Sequence, residues 1–136
     1  MKLAFALLAA LVLGLAGATW WALESGGVAV LETRRADGAP RRTHVWVAEE
    51  EGELWLEAAT PERAWLQDVQ RSPEVVLTRG ARAERFRAVP APGERERARV
   101  RALLRRQYGL RDAWVGLVQD TSRAVAVRLA PLPARE

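Results

Sequence analysis

Leu3 to Leu23 contains no charged residue and is dominated by leucine, alanine and valine, whereas the rest of the chain alternates between two periods. Period two marks strands. It runs through Val28 to Arg34 and resumes at Arg42. From there Thr43, Val45 and Val47 face one way, and Arg42, His44, Trp46 and Ala48 the other. A third strand, Glu53 to Ala59, sets Leu54, Leu56 and Ala58 against Trp55 and Glu57. Helical spacing follows in Pro61 to Arg71, with Trp65, Leu66 and Val69 as its apolar stripe. It returns in Glu94 to Tyr108, where Val100, Leu103, Leu104 and Tyr108 are buried and Arg97, Arg101 and Arg105 lie on the opposite side. Glu74 to Thr78, Ala83 to Val89 and Ala124 to Leu129 are the remaining strands, and Ala113 to Val118 reads as a short helix.

Turn chemistry separates these elements. Asp37-Gly38 before Pro40, Glu49-Glu50-Glu51-Gly52 and Arg79-Gly80-Ala81 each place glycine where the backbone must reverse. Thr60-Pro61-Glu62 predicts a helix start, with threonine as cap and proline in the first turn. The fold class is therefore mainly β with helices (α+β). Six antiparallel strands close as a small barrel that removes the sheet edges, preceded by one N-terminal hydrophobic helix. Residues 1–23 form a membrane anchor or signal peptide, 24–27 a linker, and 28–136 the barrel domain.

At about 1.5 Å per residue, Leu3 to Leu23 can just cross a hydrocarbon core of about 30 Å. Trp20 and Trp21 stand where an interfacial aromatic belt would lie. A signal peptide cleaved at Ala16-Gly17-Ala18 is the alternative. The apolar run continues past that point, which favours a retained anchor. Lys2 places the N-terminus in the cytoplasm and the domain outside, while Arg34, Arg35, Arg41 and Arg42 pull the other way under the positive-inside rule.

Composition excludes more than it assigns. There is no cysteine, so disulfides, thiolate metal sites and cysteine nucleophiles are ruled out. His44 is the only histidine, and no serine sits in a nucleophile elbow. No phosphate-loop or dinucleotide fingerprint is present. The net charge is +4, and all but one of the 21 basic residues are arginines. From Arg79 to Arg111 eleven basic residues face three acidic ones. A solvated face or anionic lipid headgroups account for this excess better than nucleic acid does.

The remaining chemistry is an anion site. Arg41, Arg42 and Thr43 open the second strand, and the third strand leads into the helix at Pro61. Antiparallel neighbours bring the start of one strand beside the end of the next. The guanidinium groups would then meet Thr60, Arg63 and the free N–H groups of that helix, where a phosphate fits. Otherwise Arg41 and Arg42 simply pair with Asp37 or the glutamates. Trp46 beside this place could stack on a planar ring, whereas Trp55 and Trp65 read as core or interface residues.

The run Thr33-Arg34-Arg35-Ala36-Asp37-Gly38-Ala39-Pro40-Arg41-Arg42-Thr43-His44-Val45-Trp46 resembles the opening of the flavin-binding split β-barrel family. That family includes pyridoxamine-phosphate-oxidase-like proteins and deazaflavin-dependent nitroreductases and quinone reductases. Trp65-Leu66-Gln67-Asp68-Val69-Gln70-Arg71-Ser72-Pro73-Glu74-Val75 is similar to its helix ending in Asn-Pro, with serine replacing asparagine. The resemblance implies FMN or a deazaflavin coenzyme, a homodimer, and a quinone or nitro compound as electron acceptor. It also implies that Arg42 and Thr43 hold the phosphate, that the Ala58, Ala59 and Thr60 backbone lies beside ring and phosphate, and that Arg63 is the basic helix residue. Val47 stands where oxidase-type members carry a basic residue, and Ala58-Ala59-Thr60-Pro61-Glu62 replaces a glycine-rich approach. The expected function is a membrane-tethered flavin- or deazaflavin-dependent oxidoreductase. Its rival is a non-catalytic envelope binding or structural module that has lost the cofactor.

Overall fold

The computed structural model describes residues 1–24 and 28–134. The linker expected at 24–27 therefore lies, apart from Glu24, outside the described residues, as do residues 135–136. Helix α1 (Lys2–Glu24) runs without a break through Ala16-Gly17-Ala18. Seven strands follow, one more than the sequence pattern predicts: β1 (Val28–Arg34), β2 (Pro40–Trp46), β3 (Ala48–Glu50), β4 (Glu53–Ala58), β5 (Glu74–Arg79), β6 (Arg82–Ala91) and β7 (Val125–Pro131). Helix α2 (Ala64–Arg71) sits between β4 and β5, and α3 (Glu94–Tyr108) and α4 (Leu110–Val118) lie between β6 and β7.

All pairings are antiparallel, in the order β2-β1-β5-β6-β7-β4-β3. The two outermost strands, β2 and β3, are consecutive in the chain with only Val47 between them. One extended segment thus begins on one side of the sheet and ends on the other, curling it into a split barrel. This is also the origin of the extra strand. Glu49 and Glu50, expected in a turn, pair with Leu54 and Glu53, and the reversal narrows to Glu51 and Gly52. Both of these have positive φ (51° and 79°), the arrangement of a two-residue hairpin whose twist matches its strands.

Val47 leaves one ladder before joining the next, so its backbone needs other partners. Its N–H donates to Tyr108 Oη (3.3 Å), and its carbonyl accepts from Tyr108 Oη (3.1 Å) and Gln107 Nε2 (2.8 Å). The Tyr108 ring stacks on Trp46 at 4.6 Å and 10°. Two apolar clusters result. Leu31, Leu56, Leu77, Phe86 and Val127 fill the barrel with Trp65, Leu66 and Val69 of α2. Ala48, Trp55, Val100, Leu103, Leu104 and Tyr108 form the second cluster, which joins α3 to β3 and β4. Trp55 and Trp65, which the sequence leaves as core or interface residues, are both buried in the core.

Two local expectations change. The helix after β4 starts at Ala64, three residues later than Pro61, because Arg63 N–H donates to the Thr60 carbonyl (3.2 Å) and makes 60–63 a turn. Arg63, not Thr60, is the N-cap, and its side chain makes no capping bond. Arg101, placed by periodicity on the solvent side of α3, has a side chain only 12% exposed.

Candidate functional site

Along Thr43 to Trp46, β2 pairs only with β1, while Glu57 and Ala58 of β4 pair only with β7. Between these two strand edges lies a pocket of about 300 Å³. Thr43, Val45 and Trp46 form one wall, and Glu57 and Ala59 the other. Arg63 and Trp65 enter from the start of α2, Arg101 and Leu104 from α3, and Gln119 closes it after α4. The volume is at the small end for an organic ligand, and the lining, apolar and aromatic with a few charges, has the usual character of such sites.

At its base Arg101 donates to Glu57 Oε1 (2.9 Å) and to Asp112 Oδ1 (2.8 Å). Asp112 is 2% exposed. Glu57 Oε2 is buried and has no hydrogen-bond partner among the described residues. Burial and the Asp112 charge raise the Glu57 carboxyl above its ordinary value, although Arg101 acts to lower it. Glu57 thus brings a buried carboxyl, bonded to Arg101, to the pocket lining.

Of the residues expected at the site, Thr43, Trp46, Ala59 and Arg63 line this pocket. Arg41 and Arg42 do not meet there. They are neighbours on a strand, so they point to opposite faces. Arg42 is exposed and donates to Glu32 (3.2 Å), its cross-strand partner. Arg41 donates to Asp68 Oδ2 (2.7 Å), which also accepts from Thr33 Oγ1 (2.9 Å), while Arg71 donates to Asp68 Oδ1 (2.7 Å). Asp68 is fully buried. Burial opposes its ionisation, but Arg41, Thr33 and Arg71 outweigh that and hold its carboxyl below the ordinary value. The alternative reading of the two arginines correctly anticipated carboxylate partners, and one of those is a helix aspartate rather than Asp37. Ala58 is buried in the barrel, and Thr60 opens the turn into α2. Glu62 pairs with Arg123, whose hydrogen bond holds its carboxyl below the usual range.

Residues 9–130 match the family described as F420H(2)-dependent quinone reductase. The chain belongs to that family. No protein of curated function matches it. Among solved structures it resembles a conserved hypothetical protein of Mycobacterium tuberculosis, with 20% identity, 88% of each chain covered and a TM-score of 0.62. It also resembles an F420 reductase, with 16% identity, 84% of this chain and 93% of the other covered, and a TM-score of 0.57. A third similar structure is a domain-swapped dimer (20% identity, 75% and 78% covered, TM-score 0.57). These likenesses establish the split-barrel fold of this quinone reductase family member.

Sequence reasoning passed over Glu57, Arg101 and Asp112. The available signal was Glu57 itself, the one acid in the otherwise apolar run Leu54 to Ala59. Nothing in the sequence paired it with residues 44 and 55 positions away.

Proposed function

We propose that this chain is a membrane-tethered, deazaflavin-dependent oxidoreductase that reduces a quinone-type acceptor in the pocket between β2 and β4. The observation that carries the proposal is a pocket between β2 and β4 whose lining combines the aromatic Trp46 with Thr43, Arg63 and the Glu57–Arg101 pair. These residues fit a deazaflavin. Trp46 offers a planar ring the face that is not stacked on Tyr108, and Thr43 and Arg63 offer donors to a phosphate. The family match favours a deazaflavin over FMN.

A bound deazaflavin would supply hydride chemistry, which the protein only orients. Two-electron reduction of a quinone takes up one hydride and one proton. Glu57 is the residue to supply the proton, since its raised pKa keeps it protonated closer to neutral pH and Arg101 stabilises the carboxylate left behind. Helix α1 is long and apolar enough to cross a bilayer, which would hold the domain near a lipid-soluble acceptor. A homodimer is part of the proposal, in keeping with the domain-swapped relative.

One observation favours the non-catalytic alternative: Arg41 and Arg42 both already have carboxylate partners. Titrating the full chain in detergent with a reduced deazaflavin, followed by its fluorescence, separates the two readings. Saturable binding that Glu57→Gln weakens supports the oxidoreductase. No binding at micromolar coenzyme leaves the module.

A further inference from the structure

Large apolar side chains that remain exposed are confined to two places among the described residues. They are Met1 and α1 (Leu3, Phe5, Leu7, Leu8, Leu11, Val12, Leu13, Leu15 and Trp20) and α4 (Leu110 and Leu117). The two helices touch, and Trp114 Nε1 donates to Thr19 Oγ1 at 3.0 Å. On α4, residues 110, 114 and 117 fall on one face, since 3.6 residues make a turn. Asp112 falls on the opposite face, buried against Arg101. So α4 turns Asp112 toward Arg101 and its leucines outward, and Trp114 binds the helix that crosses the membrane under the proposal above. Leu110 and Leu117 are 86% and 81% exposed.

We propose that α4 is an interfacial helix whose Leu110–Trp114–Leu117 face enters the lipid surface beside α1, seating the domain on the bilayer with its pocket end nearest the membrane. This inference rests on the tether reading and adds a second contact to it. Continuity with α1 identifies the occupant as lipid, because apolar surface adjoining a spanning helix at its C-terminal end meets the headgroup boundary. The charge pattern agrees: Arg105, exposed in the last turn of α3 where it leads into α4, suits anionic headgroups, while its neighbour Arg106 pairs with Glu50 (3.2 Å). Gln119, directly after α4, lines the pocket, so an acceptor leaving the bilayer would have only a short path.

The chain has no cysteine, so single substitutions give unique labelling sites. Full-length Leu8→Cys, Leu110→Cys, Leu117→Cys and, in the exposed β1–β2 turn, Ala36→Cys are labelled with bimane. Each is reconstituted into vesicles of equal parts phosphatidylcholine and phosphatidylglycerol, with or without brominated phosphatidylcholine. Labels at positions 110 and 117 should lose at least about half their fluorescence to the brominated lipid, and the label at 36 less than about a tenth, as for a helix at the acyl boundary. Quenching at position 8 but not at 110 and 117 keeps the tether and overturns the interfacial helix. Quenching at none of them overturns both. Labels at 110 and 117 that shift to the blue in detergent as protein concentration rises would assign the face to a second copy of the chain, and also overturn it.

Discussion

Arg101 places one guanidinium between two carboxylates, 2.9 Å from Glu57 Oε1 and 2.8 Å from Asp112 Oδ1. The burial that makes this bridge also raises the Glu57 carboxyl above its ordinary value of 4.5. In the folded chain Glu57 therefore holds its proton to higher pH than in the unfolded chain. The unfolded state binds fewer protons, and stability falls as pH rises. This contribution is fully present below about 4.5 and is lost as pH climbs through the folded value. Glu57→Gln should flatten that part of the profile, as read from urea midpoints across a pH series. Parallel profiles for the two proteins would refute the assignment.

Asp68 has the opposite sign. Its folded carboxyl sits below the ordinary 3.8, so its contribution is present above 3.8 and disappears as pH falls through the folded value. Asp68→Ala leaves Arg41 and Arg71 without their shared carboxylate and Thr33 Oγ1 without its acceptor. The expected loss is about 1–3 kcal/mol, less than for a fully buried pair because Arg41 and Arg71 stay partly in water. Chemical denaturation at neutral pH measures it. A loss below about 1 kcal/mol, as for an exposed ion pair, would show that the network contributes little.

How far the sequence could be read depends on the range of the interactions involved. Alternation along Thr43 to Val47 and the helical stripes through Trp65 and Val100 are local signals that predict a buried face, whereas β4 is buried on both, with Trp55 packed in the second cluster. The β3 strand escaped because Glu49 and Glu50 look like a charged turn. They are extended only because the chain must cross from one end of the sheet to the other. The residues expected at an anion site divide. Thr43, Trp46, Ala59 and Arg63 reach the pocket, but Arg41 is claimed by Asp68, 27 residues away, a pairing that no periodicity encodes. Glu57, Arg101 and Asp112 come together only through the docking of α3 and α4.

Tyr108 satisfies the backbone of Val47 where the chain passes from β2 to β3. Tyr108→Phe keeps the stack on Trp46 but removes the acceptor of Val47 N–H and one of the two donors to its carbonyl. A buried donor left without a partner costs about 1–3 kcal/mol, and the variant should be destabilised by that amount. Equal urea midpoints for Tyr108→Phe and the parent would mean that the junction tolerates the loss, and that barrel closure rests on the strand ladders alone.

Arg63 and Arg42 give a paired comparison. Arg63 lines the pocket from the N-cap of α2, at the end of the helix whose dipole favours an anion. Arg42 lies on the outer face, bonded to Glu32, with a side chain 75% exposed. If the pocket holds the phosphate of a deazaflavin, Arg63→Ala should weaken coenzyme binding by about 1.5–3 kcal/mol, the range for a hydrogen bond to a charged group. Arg42→Ala should change it by less than about 0.5 kcal/mol, since it removes only an exposed pair that does not line the pocket. Fluorescence titration of the two variants side by side decides the matter. If Arg42→Ala proves the more damaging, the phosphate lies outside the barrel, on the start of β2, and the pocket between β2 and β4 serves the acceptor alone.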